Sequence, residues 1–411
     1  MASVGYFSVN SFRGVRSPLR ACVTRAINPG TQPWNSQIIN YSRFYSKTPS
    51  LKSGRTRVAV LYQALDPPVI GGVKKPKKPG GYQDSGADIA FNLSKRADID
   101  VISPMPVPNP SKDAGWCFPD TEEGILEAVD RGVTHLWANT ILFASHPLQI
   151  SKALDKHQET LQVVGQGPLV VEKYDDKQYV NDLLRRLGNF TMPKAWWIHN
   201  SQDVAAELNG VPYPIVAKPV RGRGSQGVKV CYSPEELIAH SRTLLANSSS
   251  IILEEFLQGE EITITVMPPT QQGSKYWSLP IVTRFNHEQG IAPYNGVVAV
   301  TANSRAISDT ELDQTYLQAI EECQAAAEAL GVTAPIRIDT RRLKESKDSK
   351  FALFDVNMKP NMTGPGRPGR DDQASLTLMA AAALGWDYQE LLRRILSTSH
   401  SLKDLRTLTP R

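Results

Sequence analysis

The chain has 411 residues, 41% hydrophobic and 21% charged, an ordinary globular composition with enough apolar side chains for two or three packed units. Its formal charge of +5 does not point to nucleic acid, because no Asp or Glu precedes Asp66 while Arg13, Arg16, Arg20, Arg25 and Arg43 crowd the first stretch. No apolar run approaches the ~20 residues of a membrane-spanning helix. The four cysteines (Cys22, Cys117, Cys231 and Cys323) show no C-x-x-C spacing, which argues against a zinc site or a disulfide scaffold and suits a reducing compartment.

Residues 1–46 are acid-free and rich in Arg and Ser, the composition of a mitochondrial transit peptide, and Arg43-Phe44-Tyr45-Ser46 resembles a matrix-protease site. The expected location is therefore the mitochondrial matrix; the alternative is a disordered basic tail on a cytoplasmic protein. From Thr56 the pattern becomes strand (Val58–Tyr62), Lys/Pro/Gly loop (66–81), helix (85–95) and strand (100–103). A Pro-rich loop (104–119), a helix N-capped by Thr121 and a strand (133–138) follow. That alternation predicts a parallel sheet covered on both faces, an N-terminal domain over residues 56–172.

A second unit, 173–250, opens with a helix over 175–187 ended by Gly188. It continues with strands at 194–199 and 215–218 and a helical piece over 201–208. A third unit, 251–396, carries strand patterns at 251–255, 262–267, 297–301, 335–340 and 351–357 and helices around 308–330 and 374–396. Residues 397–411 read as a tail.

Three segments carry chemistry. Lys218-Pro219-Val220-Arg221-Gly222-Arg223-Gly224-Ser225-Gln226-Gly227 joins a strand end to a Gly-rich turn, where backbone N–H groups can approach phosphate oxygens and Lys218 supplies a point charge. It lacks the Walker A order, and taken alone it reads first as a plain turn. Ile251 to Glu261 runs an apolar strand into acids, either solvated or set to hold a nucleoside by backbone groups and a carboxylate. The firmest signal is Arg337-Ile338-Asp339 with Asp355-Val356-Asn357. Residues two apart on a strand share a face, and the polar 341–350 connection makes a hairpin that sets the two pairs side by side. Two carboxylates and an amide oxygen are hard ligands suited to Mg²⁺; a surface ion-pair cluster is the alternative, disfavoured by the apolar flanks.

These segments, in this order, resemble the ATP-grasp superfamily, nearest to the D-alanine–D-alanine ligase group. The resemblance implies an α/β (α+β) ATP-grasp fold, an N-terminal parallel-sheet domain plus two α+β subdomains clasping ATP. It implies that Lys177, Lys218, Gly224, Ser225, Gly227, Glu254, Glu255, Phe256, Leu257 and Glu261 bind ATP. By the same resemblance Arg337, Lys218 and Ser225 serve catalysis, Asp339, Asp355 and Asn357 hold Mg (or Mn), and Asp84, Ser85, Asn361, Ser375 and Leu376 bind substrate. The implied activity is an ADP-forming ligase that activates a carboxylate as an acyl phosphate for attack by an amine, or by a thiol. The implied partners are small-molecule carboxylate and amine substrates, with neither nucleic acid nor membrane, and a homodimer left open. The alternatives are a non-catalytic ATP-binding regulator or scaffold, and a biotin-dependent carboxylase, for which no Met-Lys-Met carrier segment is present.

The sequence departs from the family in two places. Residues 71–81 are Lys-rich where the family has an acid for the first substrate's amino group, and read either as a solvated loop or as favouring an anionic substrate. Asn361 stands where the family has glycine, at a position that could need positive φ, and an extra segment 364–372 with Arg367 and Arg370 should reshape the second-substrate pocket. The 284–304 loop, with Asn286, His287, Tyr294 and Asn295, is a candidate lid or simply an exposed loop.

Overall fold

A computed structural model describes residues 55–199, 204–270, 273–291 and 300–411. The expected transit segment, Cys22, Tyr294 and Asn295 lie outside the described residues. Three sheets organise the rest.

In the first, Thr56–Tyr62 is flanked in parallel register by Ile99–Val101 on one side and His135–Asn139 on the other, and Gln162–Val164 extends the sheet in parallel. Strand geometry sends alternate side chains to opposite faces. Val58 and Val60 therefore pack with Ala87, Ile89 and Leu93 of the helix Gln83–Ser94, while Ala59 and Leu61 pack with Ile125 and Ala128 of the helix Glu122–Asp130. Thr121 caps the latter, its hydroxyl accepting from the Gly124 N–H at 3.2 Å. Both covered faces and the cap agree with the sequence pattern.

Residues 397–411 are not a tail. His400–Ser401 pairs antiparallel with Gln162–Val164, and the helix Leu402–Thr407 buries Leu402 and Leu405 in the first sheet's core. A two-residue strand carries no periodicity to read in advance.

The second sheet runs in the order Lys229–Cys231, Ile215–Pro219, Ser250–Glu255, Ala195–His199, all antiparallel. The strand at 250–255 thus belongs here rather than to the third unit, because the edge it pairs with, not its own pattern, sets its sheet. With the helix Pro234–Leu245 it encloses a separate core built on Ile215, Ala217, Leu237, Ile251 and Leu253.

The third sheet is antiparallel: Ser304–Ala306, Val282–Arg284, Glu261–Met267, Ile336–Arg342, Phe351–Asn357. In the 297–301 span, the described part begins a short helix, Val300–Asn303, instead of a strand. The helix expected over 374–396 is two, Leu376–Ala383 and Tyr388–Leu396, separated at Gly385, which takes the left-handed φ of 77°. Both pack into one apolar cluster that also holds Val58 and Val60 of the first sheet and Met267 and Val282 of the third. Among the described residues no helix is long and apolar enough to cross a membrane, and the described cysteines, Cys117, Cys231 and Cys323, are free and buried.

Candidate active site

The hairpin forms as the sequence predicts. Arg337 lies opposite Asn357 and Asp339 opposite Asp355, with a bulge immediately after Asp339. Arg337 forks onto Asp339 with two hydrogen bonds of 2.9 Å, and Asn357 Nδ2 donates to Asp339 at 3.1 Å and to Asp355 at 3.2 Å. Thr263, from the neighbouring strand, donates to the same Asp339 carboxylate at 2.6 Å. Asp339 is thereby held from both sides of its strand.

Lys177 and Lys218 reach this cluster from other elements. Lys177 is the first residue of the helix Lys177–Leu187, capped by Asp176, and it ion-pairs with Asp355. Lys218, at the end of its strand and nearly buried, pairs with Glu254 at 2.6 Å and donates to the Phe354 carbonyl at 3.0 Å. Asn181 donates to the other Glu254 oxygen at 2.8 Å, so that buried carboxylate is satisfied. Burial works against the charge on Asp355, yet Lys177, Lys218 and Arg337 hold its carboxyl below the usual carboxylate range. Burial likewise opposes the charges of Lys177 and Arg337, and the facing carboxylates, Asp355 for the one and Asp339 for the other, raise both above their ordinary values.

Lys177, Lys218, Glu254, Asp339, Asp355 and Asn357 line a cavity of about 150 Å³ between the second and third sheets. One wall is Gly222–Gln226 of the turn, where Gly224, Ser225 and Gly227 take positive φ (55°, 58° and 77°), so successive N–H groups turn away from the regular strand direction; Gly227, expected to bind ATP, does not itself border the cavity. Phe256, Leu257, Ile291 and Phe354 supply an apolar part, and Arg341 lies over the Phe256 ring. Glu261 opens the next strand. It is contacted by His287 at 2.9 Å and by Arg284 at 3.7 Å, so one histidine of the candidate lid does reach the site. Gly259 is required for closure here, since a Cβ would meet the Lys344 carbonyl at 2.3 Å. Lys177, Lys218, Gly224, Ser225, Glu254, Glu255, Phe256, Leu257, Glu261, Asp339, Asp355 and Asn357 all border this one space.

A second cavity, about 540 Å³, opens from the first and shares Lys177, Gly222–Ser225, Arg284, Asp339, Asp355 and Asn357 with it. Arg337, Asp84 and Asn361 line it as expected. Ser85, Ser375 and Leu376 do not. Ser85 is fully buried, its hydroxyl accepting from Asn139 at 3.1 Å. Ser375 is spent as the N-cap of Leu376–Ala383, accepting from the Leu378 N–H at 3.1 Å, and Leu376 is in the core. The neighbouring Gln373 borders the cavity instead. Asn361 is not among the residues with positive φ, so its replacement of glycine carries no backbone strain.

The 71–81 lysines resolve into pairs: Lys75 with Asp175, Lys77 with Asp66 at 3.2 Å and Lys78 with Asp84 at 2.7 Å. Lys78 also holds the Asp84 carboxyl below its ordinary value despite burial. Sequence reasoning missed Tyr82, Arg284 and Lys359 on the wall, and Asp88 beneath it. Asp88 is fully buried on the helix Gln83–Ser94 and takes Arg367 at 2.7 Å and Arg370 at 2.7 and 2.8 Å, which ties down the extra 364–372 segment. A lone acid within Ala87-Asp88-Ile89-Ala90 was the available signal for that role.

Residues 188–397, about half of the chain, match the family described as D-ala D-ala ligase C-terminus. The chain belongs to this family. A D-alanine–D-alanine ligase of Bacillus anthracis is 30% identical over 195 residues, covering 47% of this chain and 56% of that protein. One of Aquifex aeolicus is 27% identical over 226 residues, 54% of this chain and 68% of the relative. The match to the Bacillus relative thus spans little more than half of that protein's length. Among solved structures, a D-alanine–D-alanine ligase from Bacillus anthracis superposes with a TM-score of 0.59 at 20% identity, over 85% of this chain and 99% of that one. The VanG D-Ala:D-Ser ligase from Enterococcus faecalis gives 0.57 at 14% identity, over 83% and 98%. The ATP-grasp fold anticipated from the motifs is the fold of the chain.

Proposed function

We propose that the protein is an ATP- and Mg²⁺-dependent ligase that activates a carboxylate as an acyl phosphate and transfers the acyl group to an amine. One observation carries this reading: Lys177, Asp339, Asp355 and Asn357 border two adjoining cavities, into the smaller of which Lys218 adds its charge and into the larger Arg337. The donor set fits a hard divalent ion. It offers carboxylate oxygens from Asp339 and Asp355, with the Asn357 amide beside them, which would turn its oxygen in place of Nδ2 toward an ion; the set is too small for an all-protein cage, which leaves positions to phosphate and water as Mg²⁺ favours. Such an ion neutralises charge on the phosphate oxygens.

The chain's own groups do the remaining work. Lys177 and Lys218 hold phosphates as fixed charges, and the Gly222–Gly227 turn covers them with N–H groups. The substrate carboxylate attacks the γ-phosphorus, ADP leaves, and the mixed anhydride is attacked by the amine with loss of phosphate. Arg337, held in plane by Asp339, is placed to stabilise the transferred phosphoryl group and then the oxyanion. A binder without chemistry would need nucleotide contacts but no Arg337, which disfavours a purely regulatory role.

The test is ADP release by the chain from Ser46 onward against panels of carboxylates paired with amines. Release that requires both members supports ligation; tight ATP binding with no release for any pair returns the regulatory reading. We further propose residues 1–46 as a mitochondrial address, supported by their acid-free, Arg-rich composition. A fluorescent protein fused to that segment should enter mitochondria, and diffuse cytoplasmic fluorescence would refute the assignment.

A further inference from the structure

Eight basic side chains line the larger cavity against four carboxylates. Four of the cations are matched within the wall: Lys75 by Asp175, Lys78 by Asp84, Lys177 by Asp355 and Arg337 by Asp339. Arg284 faces Glu261, and Arg370 is forked onto Asp88 behind the wall. Lys359 differs. Its ammonium nitrogen is buried and makes no hydrogen bond among the described residues, and it lies over the Tyr82 ring, 3.7 Å from the centroid. The same ring has Lys78 at 4.9 Å and Arg223 at 5.9 Å, so three cations gather on one aromatic side chain. Two residues on, Asn361 donates to Thr363 at 2.6 Å but leaves its own buried carbonyl oxygen without a donor.

A buried ammonium without an acceptor is costly, and so is a buried amide oxygen without a donor. Folded proteins leave few such groups, and both of these stand within three residues on the wall of one cavity. A cation and an acceptor side by side are complementary to a ligand with an anionic group next to an N–H or O–H. The run at 71–81 is not this receptor, because Lys75, Lys77 and Lys78 already have carboxylates.

We propose that Lys359 and Asn361 form a subsite for a second anionic group on the substrate, a carboxylate or phosphate beyond the groups that react, with Asn361 accepting from an adjacent N–H or O–H. This rests on the ligase reading for the identity of the cavity. It gives the acceptor half a substrate class: a dicarboxylate or a phosphorylated acid or amine, rather than a small neutral amino acid.

The test measures binding apart from turnover. With the protein saturated by ADP and Mg²⁺, calorimetry follows titration with succinate and, separately, with glycerol 3-phosphate, each against its uncharged counterpart, succinamide or glycerol. At least one anion should bind about tenfold or more tightly than its counterpart, and Lys359→Met should abolish that difference, as expected for a charge-assisted contact. Lys359→Arg should restore most of it, which separates lost charge from a misfolded wall, and ADP affinity should be the same in all three proteins. Which anion binds tells carboxylate from phosphate. No preference for either anion, or a preference that survives in Lys359→Met, overturns the subsite. Failure of ADP itself to bind would instead refute the ligase reading.

Discussion

The two adjoining cavities share part of a wall and differ at one place, around Lys359 and Asn361. In the smaller cavity the central lysines have their counter-charges in place, Lys218 with Glu254 and Lys177 with Asp355. On the acceptor side, 364–372 is fixed from behind by Asp88, while Lys359 and Asn361 border the cavity with a buried Nζ and a buried Oδ1 that make no hydrogen bond among the described residues. A site that meets the same polyanion at every turnover can hold its cations ready in ion pairs, which keeps them charged and oriented. A site with unsatisfied groups relies on its ligand to complete it, so its specificity resides in those groups.

Substitutions can break this contrast. The largest effect is expected at Asp355. Asp355→Ala removes a proposed metal ligand and frees Lys177, and ADP release in a coupled assay should fall by on the order of 10³-fold or more; a variant with full turnover would remove Asp355 from the site. Lys218→Met strips a buried carboxylate of its partner and should lower stability by about 3–5 kcal/mol in denaturant melts. Adding Glu254→Gln should recover part of the stability without recovering nucleotide affinity, because the phosphate contact is still missing. Arg337→Lys keeps the charge but loses the planar fork on Asp339, and kcat should fall by about 10²-fold with a smaller change in KM.

The smallest effect has the opposite sign. Lys359→Met removes an ammonium with no acceptor, so the unliganded protein should gain about 1 kcal/mol of stability. A loss of stability instead would mean that the ammonium is already compensated, and the contrast between the two cavities would weaken.

How much of this was readable in advance follows the same division. The Arg337–Asn357 hairpin was legible because polar pairs at two-residue spacing interrupt apolar strands, and a polar connection joins them. The Thr121 cap and the two faces of the first sheet were legible for the same reason: local pattern and local structure coincide. Sheet membership was not. Ser250–Glu255 pairs with strands on both sides in the second sheet, and nothing within its six residues says so. Ser375 matched a substrate-binding motif in sequence, but the structure spends its hydroxyl on the helix cap. Lys359 has no role that its local sequence reveals, since only the fold shows that its ammonium makes no hydrogen bond among the described residues.

The separate core of the second sheet has a further consequence. The first and third sheets share one apolar cluster, whereas Ile215, Ala217, Ile251 and Leu253 belong to another. The second sheet can therefore open as a cooperative unit without exposing the shared core. It carries Lys218, the Gly222–Gly227 turn and Glu254, so the groups proposed to hold phosphate ride on the piece able to open by itself. Amide hydrogen exchange should report this directly. Nucleotide should slow exchange across the second-sheet strands by far more than in Val58–Leu61, whose burial depends on neither the turn nor its ligand.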